Sequence, residues 1–229
     1  MALEIVRNIE AQALKPGDRL PLEAEMLVQY RVSRSSLREA LRLLEVQGLI
    51  AIRPGPGSGT VVGRALPGNL ARTLTLYLHM AGSTYDQLLN AWTATEPVLA
   101  KLAAQNPDRE RVRDLMQPFV AQADSEEHGK WSPMEGIDFH DRVARLADNP
   151  VLSLVLNSIS YISTEQVLTN PDRGELEEQI VHDHSDLAEA IIAGDAEKAE
   201  RLMAEHIEHV VEDFKAYWPR RVGEKIQWR

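Results

Sequence analysis

The stretch "VSRSSLREALRLLEVQGLI", Val32 to Ile50, decides how the N-terminal part of the chain is read. Ser33 is a good N-cap, and helix-forming residues follow it without a break until Gly48. Leu37, Ala40, Leu41 and Leu44 recur at spacings of three and four, so they share one buried face. Arg34, Arg38 and Arg42 recur at every fourth position, which lines them along another side of the same helix. Such a stripe is either a solvated basic face or the edge of a helix whose N-terminal end enters a groove of DNA. The neighbouring sequence discriminates between the two.

Upstream, Leu3, Val6 and Ile9 give a helix over roughly Ala2 to Ala13, ended by "KPGD", and a short helix covers about Leu22 to Gln29. Downstream, "LIAIRPGPGSGTVVG" holds two β-prone runs, Leu49–Ile52 and Thr60–Val62, around a Pro/Gly turn. Three helices followed by a hairpin make a winged helix-turn-helix over residues 1–66, and "RALPGNL", Arg64 to Leu70, reads as a linker. From Ala71 onward the period is helical throughout, with helices expected near 71–80, 84–105, 107–123, 133–147, 150–168, 174–193 and 196–217. Ser132-Pro133-Met134-Glu135 has the form of a capping box with Pro at N1, and Gly194-Asp195 closes one helix and caps the next. The expected fold is therefore mainly α: a winged helix-turn-helix and then an all-α bundle of six or seven helices over residues 71–229.

Composition bounds the function. The chain has 229 residues, enough for two domains, and no cysteine, which excludes disulfides, thiolate chemistry and Cys-based zinc sites. "MALEIVRNIE" lacks a signal-peptide core, and the most apolar run, "NPVLSLVLNSISYI", is short and broken by Asn and Ser. A soluble, cytoplasmic protein is expected. The net charge of −10 argues at first against a nucleic-acid partner. However, residues 1–66 carry nine Lys/Arg against seven Asp/Glu, while the remainder carries sixteen against twenty-eight. Within 31–64 there are six Arg and two Glu. A basic patch on an otherwise acidic chain is the footprint of a DNA-binding module attached to something else.

With these elements in view, "PGDRLPLEAEMLVQYRVSRSSLREALRLLEVQGLI" followed by "GPGSGTVV" resembles the DNA-binding domain of GntR-type bacterial transcription regulators. "TEPVLAKLAA", "FHDRVARLADNP" and "HDHSDLAEAIIAGDAEKAERLMAEHI" resemble the all-helical C-terminal domain of the FadR subgroup. The resemblance implies a homodimeric regulator, a repressor, that binds a palindromic operator on double-stranded DNA and responds to a small metabolite held in the helical domain. By position, it places Arg34, Ser35, Ser36 and Arg38 against bases and phosphates, and Arg53, Gly57 and Gly59 of the wing near the backbone or minor groove. Arg offers a bidentate fork to guanine, a helix N-terminus adds backbone donors for phosphate, and glycines allow close approach. One departure is that Leu22-Glu23-Ala24-Glu25 stands where the family commonly has Ser-Glu-Arg-Glu, so the backbone grip is expected to be weaker or differently distributed.

The resemblance also implies a metal. His140, His184 and His206 match the three histidines that the subgroup uses as ligands, a donor set that suits zinc, nickel or manganese. The usual Asp four residues before the first is replaced by Gly136; Asp138 falls on nearly the opposite helix face, and Glu135 is engaged by the capping-box reading. His182 and His209 fall off the motif. Trp92 stands where the subgroup often places an arginine for an effector carboxylate; its indole reads either as plain core or as a flat, less polar pocket wall with one donor. Tyr85, Trp131 and Tyr161 are further pocket candidates. If the metal site is real, it is three histidines completed by water or by a ligand oxygen, with Gly136 leaving the room.

Two other functions remain open from sequence. One is a metal-dependent hydrolase or lyase built on the three histidines, which leaves the basic winged helix without a purpose and shows no HExxH or nucleophile motif beside any of them. The other is a DNA-binding protein without an effector, in which the helical part only dimerises.

Overall fold

The computed structural model describes residues 1–53, 59–123, 133–167 and 174–228, including their side chains except at 121–123, 133–135, 167 and 174–177. The chain divides into two compact units, Met1–Asn69 and Leu70–Arg229.

In the first unit, α1 (Ala2–Ala11), α2 (Glu23–Tyr30) and α3 (Arg34–Val46) precede two antiparallel strands, β1 (Ile50–Arg53) and β2 (Gly59–Val62), paired Ile50 to Val62 through Arg53 to Gly59. The expected hairpin tip, with Gly57, lies outside the described residues. Helix α1 stops two residues short of the expected Ala13 because that residue turns left-handed, at φ +51°, and Leu14 N–H returns to the Ile9 carbonyl. Between α2 and α3 the chain reverses at Arg31, also left-handed. Ser33 caps α3 by accepting from Ser36 N–H at 3.2 Å. Its end is a Schellman closure at Gly48, φ +71°, where Leu49 N–H bonds the Leu44 carbonyl. The apolar stripe of α3 (Leu37, Ala40, Leu41, Leu44) buries against Ile5, Met26, Ile50 and Val62, which fixes the polar side of α3 outward.

From Pro67 onward the described elements are helical: α4 (Pro67–Ala81), which begins within the first unit, then α5 (Tyr85–Ala104), α6 (Arg109–Ala123), α7 (Pro133–Leu146), α8 (Pro150–Val167), α9 (Gly174–Ala193), α10 (Ala196–Tyr217) and a 3-10 turn at Arg221–Gly223. Helix α4 corrects the expected linker, which ran to Leu70. "LPG" looked like a breaker, but Pro67 occupies the first helical turn, where its missing N–H and fixed φ favour a start. Capping signals set the other ends. Thr84 and Gln87 form a reciprocal capping box at α5, and Asp195 Oδ1 accepts from Lys198 N–H at 3.0 Å after a left-handed Gly194. The capping box proposed at Ser132–Glu135 lies outside the described residues and side chains.

Helix α5 is the central element, packed on α10, α8, α7 and α9. It buries Leu89, Trp92, Leu99 and Ala103 with Phe139 of α7, Leu187 of α9 and Met203 of α10 in one core. None of the described helices is long and apolar enough to cross a membrane.

Candidate functional site

Helices α7, α9 and α10 each bring one histidine to a common point inside the second unit. His140, His184 and His206 are buried, and one ring nitrogen of each lies within 4.8 Å of those of the other two. Local packing orients them. His184 stacks on Phe139, centroids 3.9 Å apart and planes 11° from parallel, and Phe139 is held edge-on by Phe119 at 4.8 Å. Glu96 of α5, wholly buried, accepts from His140 Nδ1 at 2.8 Å. Asp183 accepts from His206 Nδ1 at 3.1 Å. A carboxyl behind each Nδ1 sets the tautomer and leaves the Nε2 lone pair facing the shared space.

Burial favours the neutral form of two of these imidazoles, His184 and His206. Burial, and then the charges His206 and His140 would carry, hold His184 well below the usual histidine range. Burial also lowers His206, although its bond to Asp183 opposes the shift. Burial would raise Asp183, but hydrogen bonds from His206 and Gln179 outweigh it and leave the carboxyl below its ordinary value. Neutral, carboxyl-backed imidazoles are competent metal ligands. The spacing agrees: His184 Nε2 and His206 Nε2 are 3.2 Å apart, and two nitrogens on a tetrahedral zinc at its normal bond length stand about 3.3 Å apart.

The small cavity at this point, about 10 Å³, is lined by Trp92, Gly136, Thr164, Ile180 and Val210 with the three histidines. Gly136 faces it one turn before His140. Trp92 Nε1 and Thr164 Oγ1 are buried polar atoms with no hydrogen-bond partner among the described residues, as is the second oxygen of Glu96. Two donors without partners in a cavity wall are unusual, because buried polar groups are nearly always satisfied.

A second face belongs to the first unit. Arg34, Ser35, Ser36, Arg38 and Arg42 are all exposed on α3, as is Arg53 on β1, while Gly59 opens β2. Ser33, Ser35 and Ser36 join hydroxyls at 2.9 and 3.0 Å over the α3 N-terminus. Arg38 Nε donates to Glu23 of α2 at 3.1 Å, so one arginine of the stripe is already oriented by a neighbouring helix. At Leu22, where the family's N-cap serine is missing, Glu25 still accepts from the backbone N–H at 2.8 Å.

Both parts of the chain match known protein families. Residues 1–62 match the family described as bacterial regulatory proteins, gntR family, and residues 87–209 match the FCD domain. The chain belongs to the GntR family, in its FCD-containing branch. The GntR-family chain is 26% identical over 217 residues to the HTH-type transcriptional regulator LutR of Bacillus subtilis, covering 91% of this chain and 97% of that protein. It is 24% identical over 223 residues to the HTH-type transcriptional repressor NanR of Escherichia coli K12, covering 93% and 82%. Its fold resembles Streptococcus agalactiae GntR with a TM-score of 0.67 at 22% identity, covering 92% of this chain and 97% of that one. This GntR-family member is thus a ligand-responsive, DNA-binding transcriptional regulator, and the hydrolase or lyase alternative is set aside.

Two of the further pocket candidates fall elsewhere, whereas His182 and Asp138 lie away from the cavity as the sequence suggested. Tyr85 and Tyr161 do not line the cavity: Tyr85 bonds Gln166, and Tyr161 packs near Ile226. Trp131 lies outside the described residues. His182 is exposed, and exposed His209 reaches Asp183 at 3.4 Å. Asp138 turns away to pair with Arg142 at 2.8 Å. Trp92 is both core and cavity wall, so the two readings of that residue are not exclusive. Glu96 and Asp183 were missed as supports of the histidines. For Glu96 the available signal was an acid one turn after Trp92 on an otherwise apolar helix face; Asp183 carries no such signal, because neighbours one position apart do not share a face.

Proposed function

We propose that this regulator is a homodimeric, cytoplasmic repressor in which residues 1–66 read a palindromic operator and residues 71–229 hold a divalent metal and a small metabolite. His140, His184 and His206 hold the metal, zinc, nickel or manganese, with Glu96 and Asp183 behind the first and last. The observation that carries the reading is the pair of carboxyl-backed imidazoles converging with His184 on one cavity. A metal held there would supply a Lewis acid for ligand oxygens. Trp92 Nε1 and Thr164 Oγ1 supply neutral donors for a further oxygen of the metabolite, and the described lining residues include no Lys or Arg. On the other face, Arg34, Ser35, Ser36 and Arg38 meet bases and phosphates in the major groove, and Arg53, Gly57 and Gly59 approach the backbone or minor groove.

Operator selection from a random duplex pool, followed by equilibrium binding, tests the DNA part. Arg38→Ala is expected to weaken binding by about 1–3 kcal/mol and to relax preference at one base pair of each half-site. Wild-type affinity should fall steeply with salt as phosphate counterions are released. Equal affinity and unchanged preference in Arg38→Ala would remove that residue from the interface.

A further inference from the structure

Beyond α10 the chain does not trail into solvent. Ile226 is fully buried and packs with Ala71 of α4, Leu88 of α5 and Ile162 of α8. Its carbonyl accepts from His79 Nδ1 of α4 at 2.8 Å, and its N–H bonds the Ser83 carbonyl at 2.9 Å. Tyr85 N–H bonds the Glu224 carbonyl at 3.1 Å, so the segment lies like a short strand along the α4–α5 junction. On the other side, Gln166 of α8 donates to the Gln227 carbonyl at 3.2 Å and accepts from Tyr85 Oη at 3.0 Å. Arg221 sits 4.8 Å over the Tyr85 ring and donates to its hydroxyl at 3.1 Å.

Helix α4 meets the bundle through Ala71, Leu74 and Leu78, in one small cluster with Leu88, Ile162 and Ile226, while Tyr77 and Met80 are largely exposed. Elements joined to the tail also border the histidine cavity. Helix α8 carries Thr164 in the cavity wall between Ile162 and Gln166, and α10, which the tail continues, carries His206 and Val210. Through Pro67 and the preceding Gly63–Leu66, α4 is the covalent exit towards residues 1–62.

We propose that residues 218–228 form a clasp that fastens α4 to α5 and α8 and carries changes at the histidine cavity to α4; the second half of this statement rests on the cavity being the regulatory site. Coupling of this kind requires an element that both sites bias, and the clasp touches the elements of both.

Hydrogen exchange on the full-length protein, with zinc alone as the cavity probe, tests each half. Without metal, Ile226→Ala should speed exchange in residues 71–81 by about tenfold or more and leave residues 180–193 protected. Unchanged exchange in 71–81 would overturn the clasp. His79→Leu, which cuts the tether without opening the core, should give the same pattern in milder form and decides the matter if Ile226→Ala loosens the whole unit. With zinc bound, wild-type exchange in 71–81 should change, and the change should vanish in both variants. Zinc bound by calorimetry with no change in 71–81, or a change that survives in both variants, would overturn the coupling. Failure of zinc to bind at all would count against the metal reading of the cavity, while the metal-free comparison still decides whether the clasp holds α4.

Discussion

Replacing Glu96 by leucine separates two roles of the histidine cavity. The carboxyl is fully buried, bonds His140 Nδ1 at 2.8 Å through one oxygen, and leaves the other without a partner among the described residues. Removing it deprives the His140 N–H of its acceptor, which costs about 1–3 kcal/mol, and also removes an unsatisfied buried oxygen, which returns a similar amount. Leucine is close in volume, so the cavity term is small. Metal-free Glu96→Leu should therefore unfold in denaturant within about 1 kcal/mol of wild type. Metal binding has no such cancellation. The ring of His140 loses the group that orients it, and loss of such a partner typically lowers affinity by about 10- to 100-fold. Calorimetric titration with zinc, alongside urea unfolding in chelator, measures both quantities. Wild-type zinc affinity in Glu96→Leu would refute the role assigned to the carboxyl. A loss of several kcal/mol without metal would mean that Glu96 serves the fold instead.

Gly136→Asp should tighten binding of divalent metals, since it places a carboxylate in the cavity wall one turn before His140; titrations indistinguishable from wild type, with His184→Ala altering neither, would eliminate the three-histidine site. The metal-free protein should also lose stability as pH falls. His184 and His206 titrate below the ordinary histidine value of about 6.5 in the fold, so the unfolded chain binds protons there that the native state does not. Their contribution is complete above about 6.5 and declines as pH drops towards their folded values, which chelator-treated thermal melts between about pH 7.5 and about pH 5.5, one unit either side of that value, would detect; a flat profile would contradict the buried, neutral assignment.

The winged helix was legible because its signals are local: Ser33, the 3-and-4 spacing from Leu37 to Leu44, Gly48, and β-prone runs around a Pro/Gly turn all act within a few residues. The histidines came from the family resemblance, but their supports did not. Glu96 meets His140 across 44 positions and Asp183 meets His206 across 23, and no periodicity reports contacts between helices at such distances. The start of α4 was misread because Pro and Gly were taken as breakers where Pro67 opens a turn. The C-terminal segment was passed over entirely. "PRRVGEKIQW" has neither helical nor strand period, and only the burial of Ile226 gives it a place.

The cavity holds about 10 Å³, room for a single water. If the metabolite binds here as proposed, a molecule of several heavy atoms enters only while the surrounding helices stand further apart than they do here, and the protein's own breathing then sets how fast the signal is received. At high metabolite concentration the rate of response then stops rising and equals the rate of opening. The apparent affinity is the intrinsic one scaled by the fraction of time spent open. A substitution that loosens α5 or α8 without touching the ligand would make the regulator both quicker and more sensitive, so its threshold concentration is set as much by bundle packing as by the residues in the cavity wall.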